Sequence, residues 1–184
     1  MSQPWGNLPM RIKSVIDGKF IPTVVVDTRE QAPYSFEGIF ADKADGGEEL
    51  KVDITRRTLA SGDYSLAGLE GRLAVERKSL ADLFGTLGKG RERFERELDR
   101  LQAMECAAVV VESGWHELIE NPPTHSEMQP KTVLRSIIAF QQKYDRVHWN
   151  FMGSRRLAEV TTFRIMERFW KESQRKTVSV DRKS

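Results

Sequence analysis

The segment from Leu73 to Lys78 constrains the fold more than any other part of this chain, because it begins apolar and ends in charged residues. A β-strand directs successive side chains to opposite faces of its sheet, so Glu76 and Lys78 share one face and Arg77 points to the other. A hairpin would bring the upstream Asp63 alongside them. A carboxylate and an ammonium on one face, with a second carboxylate beside them, can bind a divalent cation and position a water molecule. Metal-assisted phosphodiester hydrolysis requires this arrangement.

The elements predicted along the rest of the chain favour one fold class. Hydrophobic runs bounded by Gly, Pro and polar residues predict strands, and apolar positions at helical spacing predict helices. Antiparallel strands come first and are followed by alternating helices and strands, which favours an α/β fold with a three-layer α/β/α core around a central mixed sheet. The predicted strands cover residues 23–27, 50–59, 63–66, 73–78, 107–111 and 147–151, and the predicted helices cover residues 80–87, 91–105, 130–144 and 154–170.

Length and composition are those of one globular domain with loose ends. The chain has 184 residues, of which 39% are hydrophobic and 30% are charged, so it can bury a core. We expect an N-terminal arm over residues 1–19, a single domain over residues 20–172 and a charged tail over residues 173–184, disordered from Gln174. The net charge is only +2, so an argument for a nucleic-acid partner must come from local clustering of basic residues.

The sequence argues against several other classes of protein. Its single cysteine, Cys106, cannot form an internal disulfide and is expected to be a small buried residue in a reducing compartment. His116, His125 and His148 are too scattered for a zinc site. No apolar run approaches the roughly 20 residues that span a bilayer, and residues 1–9 lack the apolar segment of a signal peptide. These features predict a cytoplasmic protein with no membrane partner.

Three acids are the candidate ligands for Mg²⁺ or Mn²⁺, which are hard cations that prefer oxygen: Asp27, Asp63 and Glu76. The main-chain carbonyl of Arg77 can add a further oxygen. We expect Lys78 to hold the attacking water and to offset the charge that builds on the phosphate. Alone, a Gly-Asp pair is usually a turn and Glu-Arg-Lys is usually a solvated charge run. Acids at the ends of otherwise apolar strands favour a site instead.

Basic residues concentrate around one glycine-flanked loop and the helix that follows it. Gly85, Gly88 and Gly90 allow this backbone to approach a phosphate closely. The alternative is a solvated helix held by internal ion pairs, since acidic residues alternate with basic ones from Glu92 to Asp99. The candidate DNA-binding residues are Lys89, Arg91, Arg93, Arg96 and Arg100.

These motifs resemble those of a known family. Gly62-Asp63, a gap, Glu76-Arg77-Lys78 and then Asp82 resemble the GD-x(n)-ERK-x3-D motif of the XPF/Mus/Hef nucleases, a branch of the PD-(D/E)xK superfamily. Residues 24–30, Val-Val-Val-Asp-Thr-Arg-Glu, are similar to the family's opening strand, and the strand that ends at Glu112 also matches. The resemblance covers residues 24–170. It implies a metal-dependent endonuclease with a restriction-endonuclease-like fold that acts on branched or flapped DNA.

The resemblance also implies a role for each matched residue. Asp27, Asp63 and Glu76 fall at the family's acidic metal-site positions, and Lys78 falls at its catalytic lysine. Arg29 and Arg91 would contact the scissile phosphate or hold acids in place, although ordinary surface salt bridges are an equal alternative for both. The matched positions with supporting or less certain roles are Glu30, Arg77 and Asp82.

The chain departs from the family pattern at its end. After Trp170 it is too short for the tandem helix-hairpin-helix module that usually grips DNA. We therefore expect a compact enzyme, of bacterial or phage origin, whose junction specificity is weaker or is supplied by a partner. A non-catalytic DNA-binding or scaffold subunit is one alternative, and a Holliday-junction-resolving or restriction-type nuclease on the same core is another. The intact acids and lysine favour an enzyme over a scaffold.

The last two predicted helices carry more large apolar residues than one sheet face needs. Some should be exposed in a monomer and form the interface of a homodimer, or of a heterodimer with a related subunit, as the resemblance also implies. The alternative is a monomer in which the N-terminal arm, with Trp5 and Ile12, covers the patch. The apolar residues concerned are Phe140, Tyr144, Phe163, Phe169 and Trp170.

Overall fold

A computed structural model of the chain describes residues 22–42 and 46–181, together with two short antiparallel strands, Val15–Ile16 (β1) and Lys19–Phe20 (β2). Side chains are described as far as Arg175. Trp5 and Ile12, which the sequence suggests as a cover for an apolar patch, lie outside the described residues. The predicted arm therefore includes a small hairpin at its end.

The main sheet has six strands in the order β4-β3-β5-β6-β7-β8. The pairs β3–β4, β6–β7 and β7–β8 are parallel, whereas β3–β5 and β5–β6 are antiparallel. The sheet is therefore mixed, as the sequence predicts, although the fourth strand is shorter than the predicted 50–59. The strands are Val24–Asp27 (β3), Ile54–Arg57 (β4), Tyr64–Leu66 (β5), Leu73–Lys78 (β6), Cys106–Val111 (β7) and Val147–Phe151 (β8).

Helices flank this sheet on both faces and complete the predicted three-layer arrangement. Ser79 caps the first helix, since its hydroxyl accepts the N–H of Asp82. Pro130 occupies the first turn of the fourth helix, where a missing N–H costs nothing. The short third helix is not predicted from the sequence. The helices are Leu80–Leu87 (α1), Arg91–Gln102 (α2), Trp115–Glu120 (α3), Pro130–Lys143 (α4) and Arg155–Asp181 (α5).

The last helix is longer than predicted, and the expectation of disorder from Gln174 is wrong because α5 continues to Asp181. Charged side chains one turn apart pair along this stretch: Glu167 with Lys171, Arg168 with Glu172, and Glu172 with Arg175. Ion pairs of this kind, between side chains three or four residues apart, stabilise a helix. A charged composition was therefore compatible with a helix here.

Two hydrophobic cores lie on opposite faces of the sheet. One joins the sheet to α1, α2, α3 and α4, and the other joins it to α5 and to the segment that contains Tyr34 and Phe36. Phe140 and Tyr144 are buried in the first core and Phe163 in the second. The helices α4 and α5 pack on different faces of the sheet, so these three rings are buried within a single chain. Only Phe169 and Trp170 of that set stay partly exposed.

Two further expectations can be compared with the described residues. Among them, no helix combines the length and the apolar character needed to cross a membrane. Cys106 opens β7 and is half-buried rather than fully buried, and burial raises the pKa of its thiol. A raised pKa disfavours the reactive thiolate, which agrees with a structural role for this cysteine.

Candidate active site

A cavity of about 710 Å³ opens at one edge of the sheet and gathers most of the predicted site residues. The strand directions explain why. β3 and β6 both run antiparallel to β5, so their carboxyl ends meet the start of β5 at a single edge. The predicted residues that line the cavity are Asp27, Arg29, Glu30, Asp63, Glu76, Arg77, Lys78, Asp82, Arg93 and Arg100.

Asp63 is placed by a tight turn before β5. Gly62 has a φ of +72°, and a Cβ at this position would lie 3.0 Å from the Cβ of Ala74 and 3.1 Å from the carbonyl oxygen of Val75. The N–H of Asp63 donates to that same carbonyl at 2.9 Å. Its carboxylate accepts the backbone N–H of Arg77 at 2.8 Å. Glycine is therefore required here for steric reasons, and the Gly-Asp pair of the sequence motif fixes a carboxylate against β6.

Glu76 and Lys78 form a close pair that lines the same cavity as Asp63. The Lys78 ammonium donates to the Glu76 carboxylate at 2.5 Å and lies 5.2 Å from the centre of the Phe94 ring. Burial acts to lower the pKa of Lys78, but the charge and hydrogen bond of Glu76 outweigh it, so this pKa is raised. The lysine therefore stays charged in a site that is largely closed to solvent.

The two carboxylates disfavour each other's charge. Burial, followed by the charge of Glu76, raises the pKa of Asp63 to about 8, and burial also raises the pKa of Glu76. One lysine does not neutralise both acids. This excess of negative charge on hard oxygen atoms fits a divalent cation such as Mg²⁺, which proteins commonly bind through one or two carboxylates plus water and phosphate oxygens.

The Asp27 carboxylate is held by hydrogen bonds from neighbouring residues. It accepts the side chain of Arg29 at 2.7 and 3.0 Å and the backbone N–H of Leu59 at 2.6 Å. Burial acts to raise the pKa of Asp27, but these hydrogen bonds outweigh it and lower the pKa. Among the described residues, no group of three or more acidic, His or Cys side chains could hold a metal ion. The assignment of Asp27, Asp63 and Glu76 to a metal stays a prediction, and Asp27 would have to exchange its contact with Arg29 to take part.

Arg77 points to the opposite sheet face, as strand alternation predicts. Its guanidinium donates to Glu112 at 2.7 Å and to Glu30 at 3.3 Å, and it lies over the Tyr34 ring. Arg155, at the start of α5, also donates to Glu112 at 2.8 Å. Arg77, Glu30 and Glu112 are largely buried together at the end of β6, and the supporting role of Arg77 and Glu30 stays a prediction.

Glu97 is a cavity residue that the sequence reasoning missed. Its carboxylate accepts the N–H of Gly62 at 2.8 Å and bonds to Arg100, whose guanidinium also donates to Ser61. The alternation of charges from Glu92 to Asp99 suggested only a solvated helix face. The spacing along the sequence could have indicated that Glu97 faces the cavity. It follows the buried Phe94 by three residues and so lies on the same side of α2.

The predicted DNA-binding residues divide into three groups. Arg93 and Arg100 line the cavity. Lys89 and Arg96 are exposed but do not line it. Arg91 is turned away, since its guanidinium donates to Glu95 and Ser136 and lies 4.6 Å from the centre of the Phe140 ring. These contacts are those of the salt-bridge alternative, and the assignment of Arg91 to the scissile phosphate stays a prediction.

Replacing Gly62 tests whether its backbone conformation positions Asp63. We expect Gly62→Ala to destabilise the chain by about 1–3 kcal/mol, because a side chain is strained at positive φ and would contact Ala74 and Val75. Gly71→Ala is the matched control, since beyond its chain neighbours no atom lies within 4 Å of the position that a Cβ would take there. Urea unfolding measures both variants. Equal stability of the two would contradict this account.

The raised pKa of Asp63 predicts how stability depends on pH in the absence of metal. The pKa of this carboxyl is about 8 in the folded state against an ordinary 3.8, so the proton favours folding. Its contribution is fully present below the unfolded pKa and is lost as pH rises through about 8. In EDTA, stability should fall by about 1–3 kcal/mol between roughly pH 5.5 and pH 8. Asp63→Asn should reduce this fall, whereas Asp99→Asn, on the exposed side of α2, should not.

The sequence and the fold are similar to those of known proteins. The family model of the ERCC4 domain matches residues 26–161. The solved structure of XPF from Aeropyrum pernix has a TM-score of 0.55 and 22% identity, covering 88% of this chain and 69% of that chain. XPF from Aeropyrum pernix in complex with DNA has a TM-score of 0.54 and 21% identity, covering 83% and 66%. No curated protein sequence shows significant similarity.

The structural likeness confirms the predicted fold, a restriction-endonuclease-like α/β core with a mixed sheet. The family match begins within β3, extends into α5 and includes the whole Gly-Asp and Glu-Arg-Lys motif. Since it spans well over half of the chain, this protein belongs to the ERCC4 domain family, in agreement with the resemblance to XPF-type nucleases that its motif indicates.

Proposed function

We propose that this chain is a metal-dependent DNA endonuclease that hydrolyses phosphodiester bonds at branched, flapped or forked DNA during repair or recombination. The observation that supports this most strongly is the buried cluster of Asp63, Glu76 and Lys78 inside an open cavity. A purely structural cluster would gain nothing from two carboxylates whose burial disfavours their charge. The family membership and a DNA complex of a structural relative support DNA as the substrate.

Asp63 and Glu76 are the residues that would hold Mg²⁺ or Mn²⁺, with the main-chain carbonyl of Arg77 as a further oxygen. When bound, such an ion supplies charge neutralisation at the phosphate and a more acidic water. Lys78 keeps its proton because of Glu76, so it can donate a hydrogen bond to the attacking water or to a phosphate oxygen. Phe94 covers the lysine and limits access of bulk water to it.

Basic residues around the cavity would bind the phosphates of the DNA backbone. Arg93 and Arg100 line the cavity, and Arg29 borders it with a side chain that is 68% exposed. Lys89 and Arg96 extend this basic surface outside the cavity. Their contacts would be to phosphates, so they contribute affinity without sequence preference.

A cleavage assay on linear duplex, flap, fork and four-way junction DNA tests the proposed function. We expect metal-dependent cutting with Mg²⁺ or Mn²⁺, loss of cutting in EDTA, and a preference for a branched substrate. Asp63→Asn and Glu76→Gln should abolish cutting while DNA binding remains. Robust cleavage in excess EDTA would disprove the metal mechanism.

The same assay separates the alternatives. A non-catalytic scaffold would bind DNA without cutting any substrate. A junction-resolving enzyme would cut only the four-way junction, and a restriction-type enzyme would cut linear duplex at a defined sequence.

Lys78 and Arg96 should differ in the step that they affect. Lys78→Ala is expected to lower turnover about 100-fold or more with little loss of DNA affinity, because its contacts belong to the reacting centre. Arg96→Ala should instead weaken binding about equally for all sequences and reduce its salt dependence. Single-turnover rates and binding isotherms at several salt concentrations measure the two effects. Equal loss of affinity in both variants would place Lys78 in the basic surface only.

We also propose that α5 forms the interface of a homodimer or of a heterodimer with a related subunit. An apolar groove of about 490 Å³ runs along this helix and includes Cys106, Val160, Ile165 and Phe169. A second copy that covers this groove would bury these side chains and double the DNA-contact surface.

Light scattering at micromolar concentration tests this assembly. We expect twice the chain mass for the wild type and a monomer for Ile165→Glu, because the new charge would lie in the groove. Leu157→Glu is the matched control, since Leu157 is 50% exposed on the same helix and does not line the groove. A monomeric wild type would rule out the homodimer, and a dimer that both variants keep would rule out this interface.

A further inference from the structure

A row of aromatic rings leads from the candidate active site to the surface of the molecule. Phe94 meets Trp149 edge-on at 6.0 Å, Trp149 stacks beside Phe151 at 6.2 Å, and Phe151 stacks on Trp115 at 3.9 Å. We name these four rings the aromatic row. Its inner end contacts the ammonium of Lys78 through Phe94, so the row begins at a residue of the proposed reacting centre.

Strand register places Phe151, the ring next to the exposed end of the row, level with Lys78. Lys78 pairs with Val111, and Val111 pairs with Phe151, across three neighbouring parallel strands. Paired residues of parallel strands direct their side chains to the same face, and Val111 and Phe151 belong to the core on the face of α1 to α4. Phe151 thus lies two strands from Lys78, which is about 10 Å at the usual strand spacing.

Trp115 is the exposed end of the row. It remains 39% exposed although it opens a helix whose Leu118 is completely buried. Phe151 stacks on one face of its indole, so a second ring can stack only on the other face. Phe151 also holds the indole in place, so a flat ligand could stack on it without first ordering the side chain.

We propose that Trp115 is a stacking site for an unpaired base of the DNA substrate, and this inference rests on the proposed function. Aromatic side chains bind single-stranded nucleic acid by stacking on bases, and any base can stack because each has a π-face. A base inside a duplex has both faces covered by its neighbours. The site therefore distinguishes a single-stranded flap or fork arm from continuous duplex.

The spacing fits a single strand that passes both sites. About 10 Å separates the level of Lys78 from Phe151, and a stacked strand advances about 3.4 Å per nucleotide. Trp115 stacks on the far side of Phe151, so its base is expected a few nucleotides from the phosphate that is cut. This would give the chain a preference for branched DNA that depends on the sheet and α3 alone.

The test compares Trp115→Ala, Trp115→Phe and the control Ile138→Ala in binding to a labelled flap substrate and to blunt duplex of the same length. Ile138 is an exposed apolar residue of α4, at 49%, outside the aromatic row. We expect Trp115→Ala to weaken flap binding about 5- to 100-fold, the usual effect of removing one stacking ring. Duplex binding should not change, Trp115→Phe should restore most of the affinity, and Ile138→Ala should bind as the wild type does.

A spectroscopic scan provides the second measurement. 2-Aminopurine placed at successive positions of the flap strand should be quenched most strongly at one position a few nucleotides from the cut, and Trp115→Ala should remove this maximum. Thermal unfolding of each variant shows whether the fold is retained, and Trp115→Phe keeps the test valid if the alanine variant is unstable.

The outcomes of this test distinguish failure of the stacking site from failure of the proposed function. If the wild type binds flap DNA and Trp115→Ala binds it equally well, the stacking site is wrong while the nuclease proposal stands. An unchanged DNA affinity combined with a changed molecular mass would show that Trp115 contacts another protein chain instead, which also overturns the inference. If the wild type binds no DNA, the proposed function fails and this inference fails with it.

Discussion

The pairing of Glu76 with Lys78 beside Asp63 is the interaction on which the site depends. Burial disfavours the charge of both acids, and a single ammonium at 2.5 Å from Glu76 compensates for only one of them. Because the pKa of Asp63 is raised to about 8, a proton neutralises this acid below that pH, whereas above it two carboxylates face a single ammonium. In the proposed enzyme a divalent ion would supply the missing charge, and its binding would stabilise the folded state.

Strand direction explains how distant parts of the sequence reach this cluster. β3, β5 and β6 bring Asp27, Asp63 and Glu76 to one sheet edge, because β5 runs opposite to its two neighbours. The backbone adds a second constraint, since the N–H of Arg77 donates to Asp63 while the side chain of Arg77 is held by Glu112 on the other face. The end of β6 is therefore fixed from both sides, and its side chains need little reorganisation to bind a ligand.

Much of the fold was predictable because local patterns and tertiary contacts agree. Alternation in β6 predicts the opposite directions of Glu76 and Arg77, and Ser79 caps α1 as its spacing from Asp82 indicates. The failures arise where side-chain partners decide the outcome. Sequence places Asp27 among the acids but does not show that hydrogen bonds from Arg29 and Leu59 hold its carboxylate. The spacing of Glu97 from Phe94 places it on the cavity side of α2, but it does not show the contact with the backbone of Gly62.

The helix α5 connects two proposed surfaces that the sequence treats separately. Its first residue, Arg155, donates to Glu112, which in turn binds Arg77 behind the cluster. Farther along, Ile165 and Phe169 line the apolar groove. A helix is stiff over this distance, so a partner that docks in the groove also restrains the residue that holds Glu112. A dimer formed through the groove, as proposed, would therefore also restrain Glu112 and the end of β6 that Arg77 connects to it.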